Sequence, residues 1–214
     1  FIEKNIMLDP YIKSFIDPPL NAMAKKLYER KISADALTLM GFAFGLGAMG
    51  MIALNHFHLG RFFLCLNRLC DGLDGAVARQ SRLTDFGGFL DIVCDFLVYS
   101  GIVFAFGLAQ ESKLFYAAFL IFSFVGPISS FLAYAIIAAK RNKISSRRGQ
   151  KSFYYLGGLC EGTETAITLI LLCLFPDFFN VICLIFGVLC WITTVGRIYA
   201  AWHDFQPDLP RIHL

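Results

Sequence analysis

The chain predicts an all-α, polytopic membrane protein: six transmembrane helices preceded by an N-terminal amphipathic helix on the membrane surface. Three observations predict it. Hydrophobic residues make up 57% of the 214 residues and the mean hydropathy is +0.62, too apolar for an ordinary soluble domain. Only 16% of residues are charged, and they gather in a few places. Between them run long apolar stretches, each close to the roughly 20 residues that cross a bilayer.

The first element lies before the spans. Asp9-Pro10 and Asp17-Pro18-Pro19 read as helix starts, with aspartate as cap and proline in the first turn. Leu20, Met23, Ala24 and Leu27 then recur at helical spacing, with Lys25, Lys26 and Arg30 on other faces. That pattern predicts a helix lying in the interface plane. Residues 1–31 are therefore expected to form an interfacial segment, and 32–214 a six-helix catalytic domain. The opening Phe1 suggests a trimmed start, and no secretory leader is expected, because the first apolar run begins near Ala34.

The spans are predicted at about 35–55, 61–79, 87–109, 113–139, 152–174 and 179–201. The second is the most polar, with Asn67, Arg68, Asp71 and Asp74, and is kept as a span because these residues can face a bundle interior. Basic residues concentrate before the first span and in the 139–152 connection, with Arg79 and Arg82 between spans two and three; the other side has Arg61 and Lys113. The positive-inside rule then places both termini in the cytoplasm, in an integral protein of the bacterial inner membrane. No nucleic-acid partner is expected. The seven cysteines include no CxxC pair and sit in apolar runs, which predicts small buried or lipid-facing side chains rather than a disulfide framework or zinc site. Phe153, Tyr154, Tyr155 and Trp202 read as interfacial aromatics.

Four aspartates stand out. Asp71 and Asp74 are three apart, and Asp91 and Asp95 four apart, so each pair shares a helix face. Two antiparallel helices joined by a short turn can point both pairs into one space, at the cytoplasmic ends of spans two and three. Gly75, Gly87 and Gly88, with Ala76 and Ala78, permit close backbone approach. Clustered carboxylates repel, and hard divalent cations relieve that repulsion. An all-oxygen set without histidine or cysteine favours magnesium over zinc. Magnesium keeps positions for phosphate oxygens, so the pattern points to a phosphate or pyrophosphate substrate. Arg79, at the water boundary, is placed to reach a phosphate or brace a carboxylate. The competing explanation is burial of the aspartates in ion pairs with Arg68, Arg79 and Arg82, which is expensive for so many charges.

The segment resembles the signature of the CDP-alcohol phosphatidyltransferase family, D-x2-D-G-x2-A-R, seven or eight residues, then G-x3-D-x3-D. Asp71, Asp74, Gly75, Ala78, Arg79, Gly87, Asp91 and Asp95 fill its eight fixed positions. The resemblance implies transfer of a phosphatidyl-type group from a CDP-alcohol, such as CDP-diacylglycerol, to a small hydroxylated acceptor, with release of CMP. It implies two ions, Mg2+ or Mn2+, held by Asp71, Asp74, Asp91 and Asp95, with Asp95 also the general base. It assigns Asp71, Gly75, Ala78, Arg79 and Thr38 to the nucleotide, and it implies a homodimer. Many relatives carry Pro-Asn before Leu-Thr at the first span; this chain reads Ser33-Ala34-Asp35-Ala36-Leu37-Thr38, keeping Thr38 and placing Asp35 for the asparagine.

For the acceptor, the candidates are Arg148 and Lys151 before span five, Glu161 and Glu164 within it, and Arg197 near the end of span six. The two glutamates are three apart and predicted to share a face, either toward the acceptor or in pairs with Arg68 or a neighbouring subunit. Arg197 is expected to reach an acceptor phosphate or to snorkel. The alternative function is a cation or proton transporter, whose carboxylates would lie near the midplane at an inverted repeat; here they lie toward one end and no repeat is found.

Overall fold

The computed structural model describes residues 9–141 and 160–205. Seven helices run through them: α1 (Asp9–Glu29), α2 (Ala34–Ala53), α3 (Phe57–Gln80), α4 (Asp85–Ala109), α5 (Leu114–Lys140), α6 (Gly162–Leu174) and α7 (Phe179–Phe205). The predicted boundaries hold to within a few residues, except that residues 152–159 of the fifth span lie outside the described part. Among the described residues, α2, α4, α5 and α7 are long and apolar enough to cross a membrane. α3 carries Arg61, Arg68, Asp71, Asp74 and Arg79 and is less apolar, and α6 is 13 residues long.

Local chemistry sets the helix starts. Ser33 Oγ accepts the Ala36 N–H at 3.2 Å to cap α2, and Thr84 Oγ1 accepts the Gly87 N–H at 3.0 Å to cap α4. At α6 Glu161 and Glu164 form a reciprocal capping box. Of the two expected helix starts in α1, only the second fails: the helix runs unbroken through Pro18 and Pro19, so Asp17 starts nothing. Its apolar face also has a protein partner. Leu20, Ala24 and Leu27 pack with Leu37, Leu73, Ala76 and Val77, while Met23 and Tyr28 remain exposed. Docking on α3 supplies burial that compensates for the hydrogen bonds proline removes.

α2 packs against both α3 and α4, α5 against α4 and α7, and α6 against α3 and α4. Small residues on α2 permit the first contact. A Cβ on Gly41 would lie 3.0 Å from Cys70 Cβ, and one on Gly45 would strike Val98. Of the predicted small residues, Ala76 is buried under α1, whereas a Cβ on Gly75 would meet only Arg79 Nη1 at 3.5 Å. Gly75 thus leaves space open beside the helix instead of bringing two helices together. The core is built from Leu64, Val98, Ile102, Phe106, Leu120, Leu169, Leu172 and Phe179. Six of the cysteines are buried and Cys65 is exposed. Lys113 is only 6% exposed; its Nζ lies 5.1, 5.3 and 5.4 Å from the ring centres of Phe57, Phe106 and Phe179. A cation–π cage therefore removes this charge from the surface at the end of the bundle remote from the aspartates.

Candidate active site

A cavity of about 1860 Å³ opens between the helices, and the aspartate motif forms one of its walls. α3 presents Asp71, Asp74, Gly75, Ala78 and Arg79; α4 presents Gly87, Gly88, Asp91 and Asp95. α2 packs against both α3 and α4, and the chain turns from α3 to α4 between Ser81 and Thr84, so that carboxylates of both predicted pairs meet across the space between them. Asp71, Asp91 and Asp95 each offer an oxygen within 4.8 Å of the others. Asp74 sits alongside, buried, with Oδ2 accepting the Thr38 hydroxyl at 2.7 Å. Thr38, expected at the nucleotide, is thus first of all a partner of this carboxylate. The donor set fits a hard divalent cation: carboxylate oxygens from two helices, close together, with open cavity in front.

Gly87 has a role that spacing alone did not assign. A Cβ there would stand 2.9 Å from Thr84 Oγ1 and 3.0 Å from Asp35 Oδ1. Glycine lets the α4 cap form and lets Asp35 approach the head of α4. Arg79 and Arg82 are exposed and line the cavity mouth.

The ion-pair explanation holds for one arginine. Arg68 Nη2 lies 2.7 Å from Asp95 Oδ1, and Nη1 3.6 Å from Asp71 Oδ2. Tyr99 donates its hydroxyl to Asp95 Oδ2 at 2.9 Å. Sequence reasoning counted Arg68 only as a competitor and did not single out Tyr99. The signal was present: Arg68 is three residues before Asp71, and Tyr99 four after Asp95, each on the motif face.

The opposite wall comes from α5, α6 and α7, with Pro127, Phe131, Glu161, Thr165, Cys190 and Arg197 among its residues. Arg197 is 6% exposed, so it does not snorkel. Its Nη1 donates to the Pro127 carbonyl at 2.7 Å, Nη2 lies 4.0 Å from Glu161 Oε1, and Nε has no partner among the described residues. Glu161 therefore faces Arg197 rather than Arg68. Glu164 does not line the cavity; its Oε2 turns back to accept the Glu161 N–H at 3.3 Å. The spacing that suggested a shared face toward the acceptor belongs to the helix cap. Arg148, Lys151 and the aromatic residues Phe153, Tyr154 and Tyr155 lie outside the described residues.

A family model for CDP-alcohol phosphatidyltransferase matches residues 31–200. The chain belongs to this family. The CDP-alcohol phosphatidyltransferase is 46% identical to the inner membrane protein YnjF of Escherichia coli strain K12, over 92% of this chain and 96% of that one. It is 27% identical to an archaetidylinositol phosphate synthase of Pyrococcus horikoshii, over 89% and 94%. Its fold resembles that of phosphatidylinositol phosphate synthase from Mycobacterium tuberculosis. The structure of that enzyme with CDP-DAG bound gives a TM-score of 0.68 at 20% identity, covering 89% of this chain and 98% of that one. The structure with manganese and citrate gives 0.70 at 19%, covering 89% and 93%. The phosphatidyltransferase is thus an integral membrane transferase of phospholipid biosynthesis, and the transporter alternative is set aside.

Proposed function

We propose that the enzyme transfers a phosphatidyl-type group from a CDP-linked lipid, CDP-diacylglycerol first among candidates, to a small hydroxylated acceptor. One observation carries the reading: three carboxylates from two helices converge beside an open glycine, Gly75, on the wall of a cavity large enough for a nucleotide and a headgroup. Asp71, Asp74, Asp91 and Asp95 would hold two divalent cations, Mg2+ or Mn2+, which supply Lewis-acid neutralisation of the phosphate charge. Thr38 orients Asp74 by its 2.7 Å bond. Gly75 and Ala78 leave room for the CDP moiety, and Arg79 offers its guanidinium to a phosphate. Asp95 takes the proton of the acceptor hydroxyl as its oxygen forms a bond to the β-phosphorus; the bond from that phosphorus to the CMP oxygen breaks, and CMP leaves.

Arg197 forms the acceptor end, with Glu161 beside it. Relatives named for inositol phosphate products make inositol phosphates the first acceptors to test, and a guanidinium on the cavity wall suits a phosphate. Residues 1–31 serve as the interfacial segment and the rest as catalytic domain. The name of the E. coli relative and the distribution of basic residues support an inner-membrane enzyme with cytoplasmic termini and active site, working as a homodimer.

The test is CMP release by purified protein with Mg2+ and CDP-diacylglycerol, against inositol phosphates, glycerol 3-phosphate, serine, choline and phosphatidylglycerol. CMP is expected with one acceptor class and not without acceptor; no CMP across the panel would refute the donor or the reaction. Asp95→Asn should lower turnover by about 10²- to 10⁴-fold, the span of general-base catalysis, while donor binding persists. Loss of donor binding as the main defect would contradict the base assignment.

A further inference from the structure

Arg68 lies outside the eight motif positions and has no part in the transfer proposed for Asp95. Its side chain is 13% exposed, yet every guanidinium nitrogen has a partner. Nε donates to Asn67 Oδ1 at 2.8 Å, Nη1 to the Tyr99 hydroxyl at 2.8 Å, and Nη2 to Asp95 Oδ1 at 2.7 Å. Tyr99 completes the ring by donating to Asp95 Oδ2 at 2.9 Å. Asn67 is pinned in turn, its Nδ2 donating to the Gly41 carbonyl at 2.9 Å. One planar fork thus ties α2, α3 and α4 together and grips both oxygens of the same carboxylate. Among the described residues no arginine grips both oxygens of Asp71 or Asp91 in this way, although Asp71 lies 3.6 Å from the same guanidinium.

We propose that Arg68, acting with Tyr99, is the positioning residue for Asp95: it sets the orientation in which that carboxylate meets the acceptor hydroxyl, and its charge holds the aspartate cluster together before divalent cations bind. This rests on the reading of Asp95 as base. The two parts have opposite signatures. A fixed fork is geometry, and losing it slows turnover. A fixed positive charge competes with cations for the same carboxylates, so losing it tightens cation binding while the cation-free protein becomes less stable. An arginine that only supports the fold would weaken all three together.

The experiment compares R68Q, R68K and Y99F with the wild type by Mn2+ titration, cation-free thermal melting and CMP release. In R68Q, turnover should fall roughly 10- to 100-fold, the usual scale for a residue supporting a ligand or base, with donor KM within about twofold of wild type. Mn2+ should bind more tightly and the cation-free melting temperature should drop. R68K restores the charge without the fork, so Mn2+ affinity and melting should return to wild type while turnover stays low. Y99F keeps the volume and removes one bond to Asp95; it should slow turnover with Mn2+ affinity unchanged. Loss of Mn2+ binding together with turnover in R68Q, or wild-type turnover in Y99F, overturns the proposal. If R68Q does not fold, R68K and Y99F decide, since wild-type turnover in either one overturns the proposal. If the wild type releases no CMP with any acceptor, the transfer reading fails separately; unchanged Mn2+ affinity in R68Q would still refute the charge role.

Discussion

On the α3–α4 wall of the cavity, Arg68 gives each nitrogen a partner within 2.8 Å, whereas on the α5–α7 wall Arg197 leaves Nε without one among the described residues and meets Glu161 only at 4.0 Å. Both arginines are buried against an acid, so both incur desolvation. The first recovers it through a closed set of hydrogen bonds within the protein. The second recovers less: its Nε is buried without a partner among the described residues, while the side chain as a whole lines the cavity. A network satisfied internally suits the part of a reaction that is the same at every turnover. An unsatisfied buried cation suits the part supplied by a ligand.

Removing a carboxylate from the first wall is the largest perturbation available. Asp91→Ala leaves Asp71 and Asp95 without the third close oxygen. Mn2+ affinity is expected to fall by about 100-fold or more, beyond the usual effect of a supporting residue, with CMP release following it. If titration shows Mn2+ affinity unchanged, the cation does not bind where the three oxygens converge. Arg197→Gln should act on the other wall alone. Loss of a charge-assisted bond to a phosphate corresponds to a KM for the acceptor raised roughly 10- to 100-fold, with donor KM and Mn2+ affinity unchanged. Equal effects on donor and acceptor would show that the two walls do not divide the substrates.

The difference between the walls also marks what was legible in the sequence. The i, i+3 and i, i+4 spacings placed Asp71, Asp74, Asp91 and Asp95 on facing helices, and the apolar runs located the helices, because both are local properties of a helix. The grip of Arg68 on Asp95 joins residues on different helices, and a residue type and its spacing do not specify which charge a long side chain will choose. The approach of α2 through Gly41 and Gly45 is likewise a property of the pair of helices, not of either one. At α1, local proline signals read as a helix start were overridden by docking of Leu20, Ala24 and Leu27 onto α3. At α6, Glu161 and Glu164 had the right spacing for two explanations. Glutamate is an unusual first member of a capping box, where serine and threonine lead, so the cap was the explanation less readily seen.

That ambiguity supplies the smallest effect and the finest test of the comparison. Glu164 Oε2 accepts the Glu161 N–H at 3.3 Å and the side chain stands outside the cavity lining, so its work is at the start of α6. Losing half of a capping box costs about 0.5–2 kcal/mol, which in a protein of this size lowers the melting temperature by a few degrees, about 2–4 °C for each kcal/mol. Glu164→Ala should therefore shift melting modestly and leave the acceptor KM close to wild type. A large rise in acceptor KM would instead mean that the cap itself positions Glu161 against Arg197, since the two glutamates share one box. In that case the second wall would also depend on a closed set of internal bonds, one step removed from the arginine, and the contrast with Arg68 would narrow to the partner that Arg197 Nε lacks among the described residues.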